Sequence, residues 1–382
     1  MNSLNLEALS ATDIAAIERA TGWANSFVAD RAEQWEFERR FAKEGFESAA
    51  KHRLTGLLVP EADGGEAVSA LGLARVLEEI AAIDFAIAFS LVCHNNLAGS
   101  VARNATGDLR SETLPGLVDG SSLGAFLLTE PGVGSDAAAI SVTASRDGDE
   151  WILNGEKAWV TNGTDADVLS VYTQTDRAAG HHGIATFLVD ANIPGIVRTP
   201  AYELIGGHGL GANGIRFDNC RVPAKSLFLS PGEGFRAAME GIDLARVLVS
   251  AMCCGMLRTS LSTASAYVRD RNAFGARLAD LQGVRFKLAD VATDLEASRL
   301  LTYQAAHALQ DGGDASVEAA HAKKFATRVT EVGIASCMQV MGANGAKRDH
   351  PLPRHLAAAR LTHYVDGATE IQDVVISRSL LD

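Results

Sequence analysis

Two short segments carry side chains in arrangements that suit chemistry. In Leu128-Thr129-Glu130-Pro131-Gly132-Val133-Gly134-Ser135-Asp136, a threonine precedes a Pro-Gly-x-Gly-Ser turn. Such a turn at a strand end offers hydroxyls and backbone N–H groups together, which suits an anionic or multiply accepting ligand. An ordinary strand-to-loop turn has the same composition. In Tyr364-Val365-Asp366-Gly367-Ala368-Thr369-Glu370-Ile371-Gln372, a carboxylate stands just before a glycine and a helix start. Thr369 is the expected N-cap and Ile371 to Leu381 the expected final helix. A carboxylate held rigidly beside N–H donors can serve as a general base, or it can merely cap the helix.

Other motif-like stretches are decoys. Gly209-Leu210-Gly211-Ala212-Asn213-Gly214 fits G-x-G-x-x-G, but the strand-like Ile215 to Cys220 follows it where a dinucleotide site needs a helix. Ser48-Ala49-Ala50-Lys51 fits S-x-x-K without triad partners. His181-His182 sits in a glycine-flanked loop with no further ligands at useful spacing, so no metal site is expected. The five cysteines, Cys93, Cys220, Cys253, Cys254 and Cys337, are odd in number and form no C-x-x-C pair. They read as buried thiols of a cytoplasmic protein rather than as a disulfide framework.

The elements that must position these segments follow from hydrophobic period. Residues 1–120 read as a helical domain, with one helical region ending at Leu57-Leu58-Val59-Pro60, a loop at Glu61 to Gly65, and a helix over Leu71 to Ala88. Residues 121–230 change period and read as a small antiparallel β domain. Ile140 to Ala144 alternates, Asp147-Gly148 is a turn signal and Trp151-Ile152-Leu153 resumes, which is a hairpin. Leu169 to Tyr172, Ala185 to Val189 and Ile215 to Phe217 are further strands. Residues 231–382 return to helix: Val284, Leu288, Val291 and Leu295 share one face, as do Phe325, Val329 and Val332. Breaks are expected at Gly312-Gly313 and Gly342 to Gly345, giving long antiparallel helices in a C-terminal four-helix bundle. The fold class is therefore mainly α with a central β domain.

At 382 residues the chain is long enough for two or three domains, taking about 150 residues for each. Asp and Glu outnumber Lys and Arg by 47 to 34, a net charge of -13, and no basic run is present. That balance disfavours nucleic acid and anionic membranes as partners. It leaves small anionic ligands open, because those need only a few placed donors. No basic segment leads into an apolar run near Met1, and no stretch approaches about 20 uninterrupted apolar residues, so neither a secretory signal nor a spanning helix is expected.

Six ordered segments together resemble the acyl-CoA dehydrogenase family of flavoproteins. They are Gly56 to Glu61 with Gly64-Gly65, Leu128 to Asp136, and Asn154-Gly155-Glu156-Lys157-Ala158-Trp159-Val160-Thr161-Asn162-Gly163. Arg271-Asn272-Ala273-Phe274-Gly275 with Leu281-Gln282, Gln339 to Gly345, and Asp366 to Gln372 complete the series. The resemblance implies bound FAD. Phe126, Leu128, Thr129, Gly134 and Ser135 would hold the flavin from one segment, with Trp159 and Thr161 from another. An indole suits a flat π-system. Thr369 and Glu370 would join this cofactor set, and Ser135 and Gly367 would also face substrate. In the family, a neighbouring subunit contacts the adenine half. By motif match those contacts fall on Arg271, Phe274, Gln282, Gln339 and Gly342, with Arg271 a bidentate donor to pyrophosphate. This implies an obligate oligomer, a homotetramer.

The resemblance further implies removal of an α-proton from an acyl thioester (acyl-CoA or carrier-bound) and transfer of the β-hydride to flavin. An electron-transfer flavoprotein would accept the electrons. Hydrogen bonds to the thioester carbonyl would stabilise the developing enolate. The matching base is Asp366, where most of the family has glutamate in a Tyr-Glu-Gly-Thr run; here the run is Val365-Asp366-Gly367-Ala368. The family's alternative glutamate position is Ala245, so Asp366 is the motif-supported base, and Asp243 and Arg246 match substrate-side positions. The shorter carboxylate fits an α-branched, alicyclic or carrier-tethered acyl group. It also fits a relative, nitroalkane oxidase, which uses Asp at this place. That relative has a basic residue seven positions on, where this chain has Asp373. A third reading is a catalytically silent FAD-binding subunit of a mixed oligomer.

Overall fold

The computed structural model describes residues 9–310 and 314–381, so the break expected at Gly312-Gly313 lies outside the described residues. The described residues begin with helices α1 (Ala11–Trp23), α2 (Ala32–Glu38), α3 (Lys43–Lys51), α4 (Ala70–Ala81), α5 (Phe85–Asn104) and α6 (Gly107–Asp119). Strands follow: β1 (Gly124–Leu127), β2 (Thr143–Asp147), β3 (Glu150–Val160), β4 (Val168–Gln174), β5 (Ile184–Asp190), β6 (Ile196–Arg198), β7 (Asn213–Pro223) and β8 (Leu227–Leu229). Helix α7 (Glu233–Asp270) is followed by the small hairpin β9 (Asn272–Ala273) and β10 (Ala276–Arg277). Helices α8 (Gln282–Gln310), α9 (Ser316–Met341), α10 (Leu352–Thr362) and α11 (Thr369–Leu381) end the chain.

The helical, β, helical order matches the reading from hydrophobic period, with corrections. The helix expected over Leu71 to Ala88 is two. Asp84 caps α5 by accepting the Ile87 N–H at 3.0 Å, and this local competition breaks the apolar run. Leu57 to Pro60 do not end a helix: α3 stops at Lys51, and the turn after it is pinned by the Leu57 N–H donating to Asn95 Oδ1 at 2.8 Å. Val332 does not share the buried face of Val329; it is 61% exposed. Thr369 is the first helical residue of α11 rather than its cap, and its hydroxyl lies 3.1 Å from His363 Nδ1.

The sheet runs β6-β7-β3-β2-β4-β5-β8, with β1 on β4. It is antiparallel apart from β1 beside β4 and a single parallel contact between β2 and β4. The Asp147-Gly148 hairpin joins β2 to β3, with Asp147 opposite Glu150. Its own core is built on Val142, Leu153, Val171, Phe187 and Phe217.

The two helical regions do not have separate cores. One apolar cluster runs from Trp23, Trp35 and Leu77 through Phe85 and Ile87 to Leu248, Met252, Leu295 and Ile334. Glu78 on α4 adds a polar tie, accepting from Arg299 Nη2 on α8 at 2.7 Å and from the Tyr303 hydroxyl. Among the described residues two helices, α5 and α7, are long and apolar enough to span a bilayer, but most of each is buried.

Candidate active site

The turn after β1 is fixed from below by a buried charge pair. Glu130 accepts from Ser141 N at 2.7 Å, Ser141 Oγ at 2.6 Å, Val142 N at 2.9 Å and Lys157 Nζ at 2.9 Å. Lys157 Nζ also donates to the Leu128 carbonyl at 2.8 Å. Burial opposes the Glu130 charge, but Lys157 and these donors outweigh it and hold the carboxyl below its ordinary value. Burial draws Lys157 down to about 8, against the pull of Glu130, so the pair is charged at neutral pH. Above this anchor, Leu128 is buried, Phe126 and Thr129 are half-buried, and Gly134 and Ser135 are exposed. A methyl group added at Gly132 or Gly134 would meet nothing, so the turn presents bare backbone to open space.

A β-bulge sets the second wall. The β3–β7 register shifts between Lys157 and Val160, so Lys157 and Ala158 are both buried and Trp159 turns outward. Trp159 has a left-handed φ of 58°, is 61% exposed, and packs one face near Tyr202 at 4.6 Å between ring centroids. Thr161 is buried two residues on, near the Cys93 thiol of α5. Burial pushes the Cys93 thiol up, and the nearby Asp366 charge adds to the effect.

Asp366 closes the site from the helical bundle. It sits in the turn between α10 and α11 with φ 52°, a region that non-glycine residues rarely occupy, and Gly367 follows at φ 92°. Arg246 Nε on α7 donates to the Asp366 carbonyl at 3.2 Å, while its Nη1 donates to Asp243 at 2.7 Å. Asp243 in turn accepts from Ser316 Oγ at 2.7 Å. Lys323 Nζ on α9 and Gln372 Nε2 both donate to the Gly367 carbonyl, at 2.5 Å and 2.9 Å. The carboxylate is left over: Asp366 Oδ2 is buried with no partner. Among the described residues the Asp366 N–H has no acceptor either. Burial pushes the carboxyl up to about 6, against the pull of Lys323 and Arg246. A buried carboxyl that has no hydrogen-bond partner and titrates near neutrality has the chemistry of a proton acceptor.

The structure therefore gathers Asp366, Gly367, Thr369, Arg246 and Asp243 at one end of the bundle, with Cys93 and Thr161 nearby. Arg246 is 6% exposed and committed to this loop. The residues expected on the adenine side lie at the other end. Arg271 follows α7, 25 residues beyond Arg246 (246 to 271), or about 38 Å of helix. Gln339 stands 16 residues beyond Lys323 (323 to 339) on α9, about 24 Å. Asn344 Nδ2 donates to the Tyr267 hydroxyl at 2.8 Å, which holds these two helix ends together. Arg271, Phe274, Gln282, Gln339 and Gly342 are all exposed there, as is Glu370 at the start of α11. Sequence reasoning missed Lys323, Cys93, Glu130 and Lys157 as parts of the site.

An exposed indole, a bare Pro-Gly-x-Gly-Ser turn, the hydroxyls of Thr129, Ser135 and Thr161, and an unpaired carboxylate fit a flat, polar, anionic cofactor with a substrate beside it. Comparison with known proteins agrees. The chain matches the N-terminal domain of acyl-CoA dehydrogenase over residues 10–121, the middle domain over 125–220 and the C-terminal domain over 232–381. It is 36% identical over 329 residues to the human mitochondrial short-chain specific acyl-CoA dehydrogenase, covering 86% of this chain and 80% of that one. Butyryl-CoA dehydrogenase from Megasphaera elsdenii superposes with a TM-score of 0.94 at 30% identity, covering 100% of both chains. The prolyl acyl carrier protein oxidase AnaB superposes at 0.93 with 25% identity, covering 98% of this chain and 100% of that one. This fold and site define an FAD-dependent oxidoreductase. The chain belongs to the acyl-CoA dehydrogenase family.

Proposed function

We propose that the protein carries out α,β-dehydrogenation of an acyl thioester, with Asp366 removing the α-proton. Bound FAD would accept the β-hydride, which is the one step the protein's side chains cannot perform. The observation that carries the reading is the isolated, buried Asp366 Oδ2, raised toward neutrality in a clamped loop. A thioester carbonyl beside it would accept from the free Asp366 N–H, and that bond strengthens as negative charge grows on the oxygen. Phe126, Leu128, Thr129, Gly134, Ser135, Trp159 and Thr161 would hold the flavin half, with Thr369 and Glu370 at the start of α11.

A homotetramer completes the reading. The expected adenine-side residues lie at the far ends of α7 and α9 from Arg246 and Lys323, where a neighbouring chain would bring its own cofactor's adenine half. Large apolar side chains are exposed near them and along α8 and α9: Phe274 at 98%, with Phe286, Leu300 and Val332. The electron acceptor on this reading is an electron-transfer flavoprotein, and the location is the cytoplasm.

The test is anaerobic mixing of holoenzyme with straight, α-branched and alicyclic acyl-CoAs, an acyl-carrier thioester and a nitroalkane, following loss of visible flavin absorbance. Bleaching by an acyl thioester is the expected result. Bleaching by the nitroalkane alone overturns it in favour of an oxidase, and no bleaching overturns it in favour of a silent subunit. A pH dependence follows from the same carboxyl. A base must be ionised, so kcat/KM should be full above pH 7 and fall on the acid side with a midpoint near the value of about 6. A flat profile from pH 5 to pH 8, spanning about one unit or more on either side, removes Asp366 as the base.

A further inference from the structure

Lys323 is the least expected group in the site. It is 1% exposed, on α9, among small side chains: Ala319, Ala320, Ala322, Ala326 and Thr327 are all buried around it. Its neighbour Lys324 faces outward and pairs with Asp373. A buried ammonium is costly unless something compensates it. Within this chain its hydrogen bond is to the Gly367 carbonyl.

We propose that Lys323 is a positioning residue for the base: with Arg246 it grips two successive peptide carbonyls, those of Gly367 and Asp366, and so fixes where the Asp366 carboxylate points. The geometry has three consequences. The two cations hold a left-handed pair, Asp366 then Gly367, that would otherwise relax. Both grip the backbone, so the side-chain oxygen stays free to take a proton. They also supply positive charge beside a carboxylate that burial would neutralise.

The charge balance around Asp366 is small enough to name. Lys323 faces it from α9 and Arg246 from α7, the latter paired with Asp243. The Cys93 thiol faces it from α5. Around Lys323 itself stand Asp366, Arg246 and the buried Cys253 thiol, and His363 of the α10–α11 turn senses it. Burial draws Lys323 down to about 8, against the pull of Asp366 and aided by repulsion from Arg246, so it is charged where Asp366 ionises. Removing its charge favours the protonated carboxyl and widens the pH range in which the base is blocked.

The inference rests on Asp366 being the base, and the experiment separates the two. Holoenzymes carrying Lys323→Met, Lys323→Gln and Lys323→Arg are compared with wild type by stopped-flow flavin reduction across pH. The protonated-carboxyl infrared band is titrated alongside, assigned by its loss in Asp366→Asn. In Lys323→Met the infrared and kinetic midpoints should both move up by about one pH unit or more. The plateau rate should fall about tenfold or more as the carboxylate loses its aim. Lys323→Gln should raise the midpoint while keeping more of the plateau, because its amide can still reach the carbonyl. Lys323→Arg should restore the midpoint. If Lys323→Met does not retain FAD, Lys323→Gln alone decides through its infrared midpoint. Unchanged midpoints in Lys323→Gln overturn the proposal, whereas wild-type flavin reduction by Asp366→Asn overturns the base assignment instead.

Discussion

Asparagine at position 366 should slow flavin reduction by an acyl thioester by about 10²- to 10⁴-fold while the protein still folds and keeps its FAD. The range is what a positioned general base contributes. The exchange is nearly isosteric, so the effect isolates proton acceptance. The fold should tolerate it because the Asp366 side chain makes no hydrogen bond among the described residues; the loop is held through its carbonyls. The new amide also removes a carboxyl that burial already pushes toward neutrality. The measurement is single-turnover reduction at saturating substrate and pH 8, with FAD content and melting temperature as controls. A rate within about threefold of wild type sinks the assignment, since no general base contributes so little. Asp366→Glu, which restores the family's commoner carboxylate one methylene longer, should retain measurable reduction. A loss as deep as that of asparagine would show that this site needs the shorter reach.

Much of this site could be read before the fold was known, for a physical reason. Asp366 announces itself because a carboxylate beside glycine at a helix start is a local pattern, and local patterns survive in sequence. The helical, β, helical order survives as a change of hydrophobic period. What sequence hides is the non-local part. Lys157 looks like one more residue of an alternating strand, and only the bulge before Val160 decides that it is buried while Trp159 is exposed. Glu130 cannot be paired with Lys157 by spacing, because the turn and the strand meet only through the sheet. Lys323 was nearer to legible. The alanines at 319, 322 and 326 set the inward face of α9, and a lysine in that stripe, rather than its neighbour Lys324, stands out once the phase is drawn. The break at Asp84 was legible too, since an aspartate two residues after Ala82 and just before Phe85 is a helix-start signal inside an apolar run. Val332 shows the opposite limit: the spacing continued, but the packing partner did not.

The buried pair beneath the turn gives the other large expected effect. Glu130→Ala leaves the Lys157 ammonium, which is wholly buried, without its counter-ion and strips acceptors from Ser141 and Val142. Breaking one side of a buried ion pair costs about 3–5 kcal/mol, a large share of the roughly 5–15 kcal/mol that holds an ordinary domain together. Most of that cost is the stranded charge, so Glu130→Ala combined with Lys157→Met should recover part of it. The sign with pH follows from the lowered Glu130 carboxyl. Its contribution is full above the ordinary glutamate value of 4.5 and fades as pH drops through the lower folded value. Wild type should therefore lose this share in acid, and Glu130→Ala should show a shallower acid limb. Because the same carboxylate anchors Thr129 to Ser135, the variant should also release FAD more readily than wild type at equal stability of the rest of the fold. Urea unfolding of apoprotein and holoprotein from about pH 2 to pH 8, with fluorescence of released flavin, measures both. A destabilisation under about 1 kcal/mol, the size of an ordinary surface change, would mean that water reaches Lys157 and that the pair does not anchor the turn.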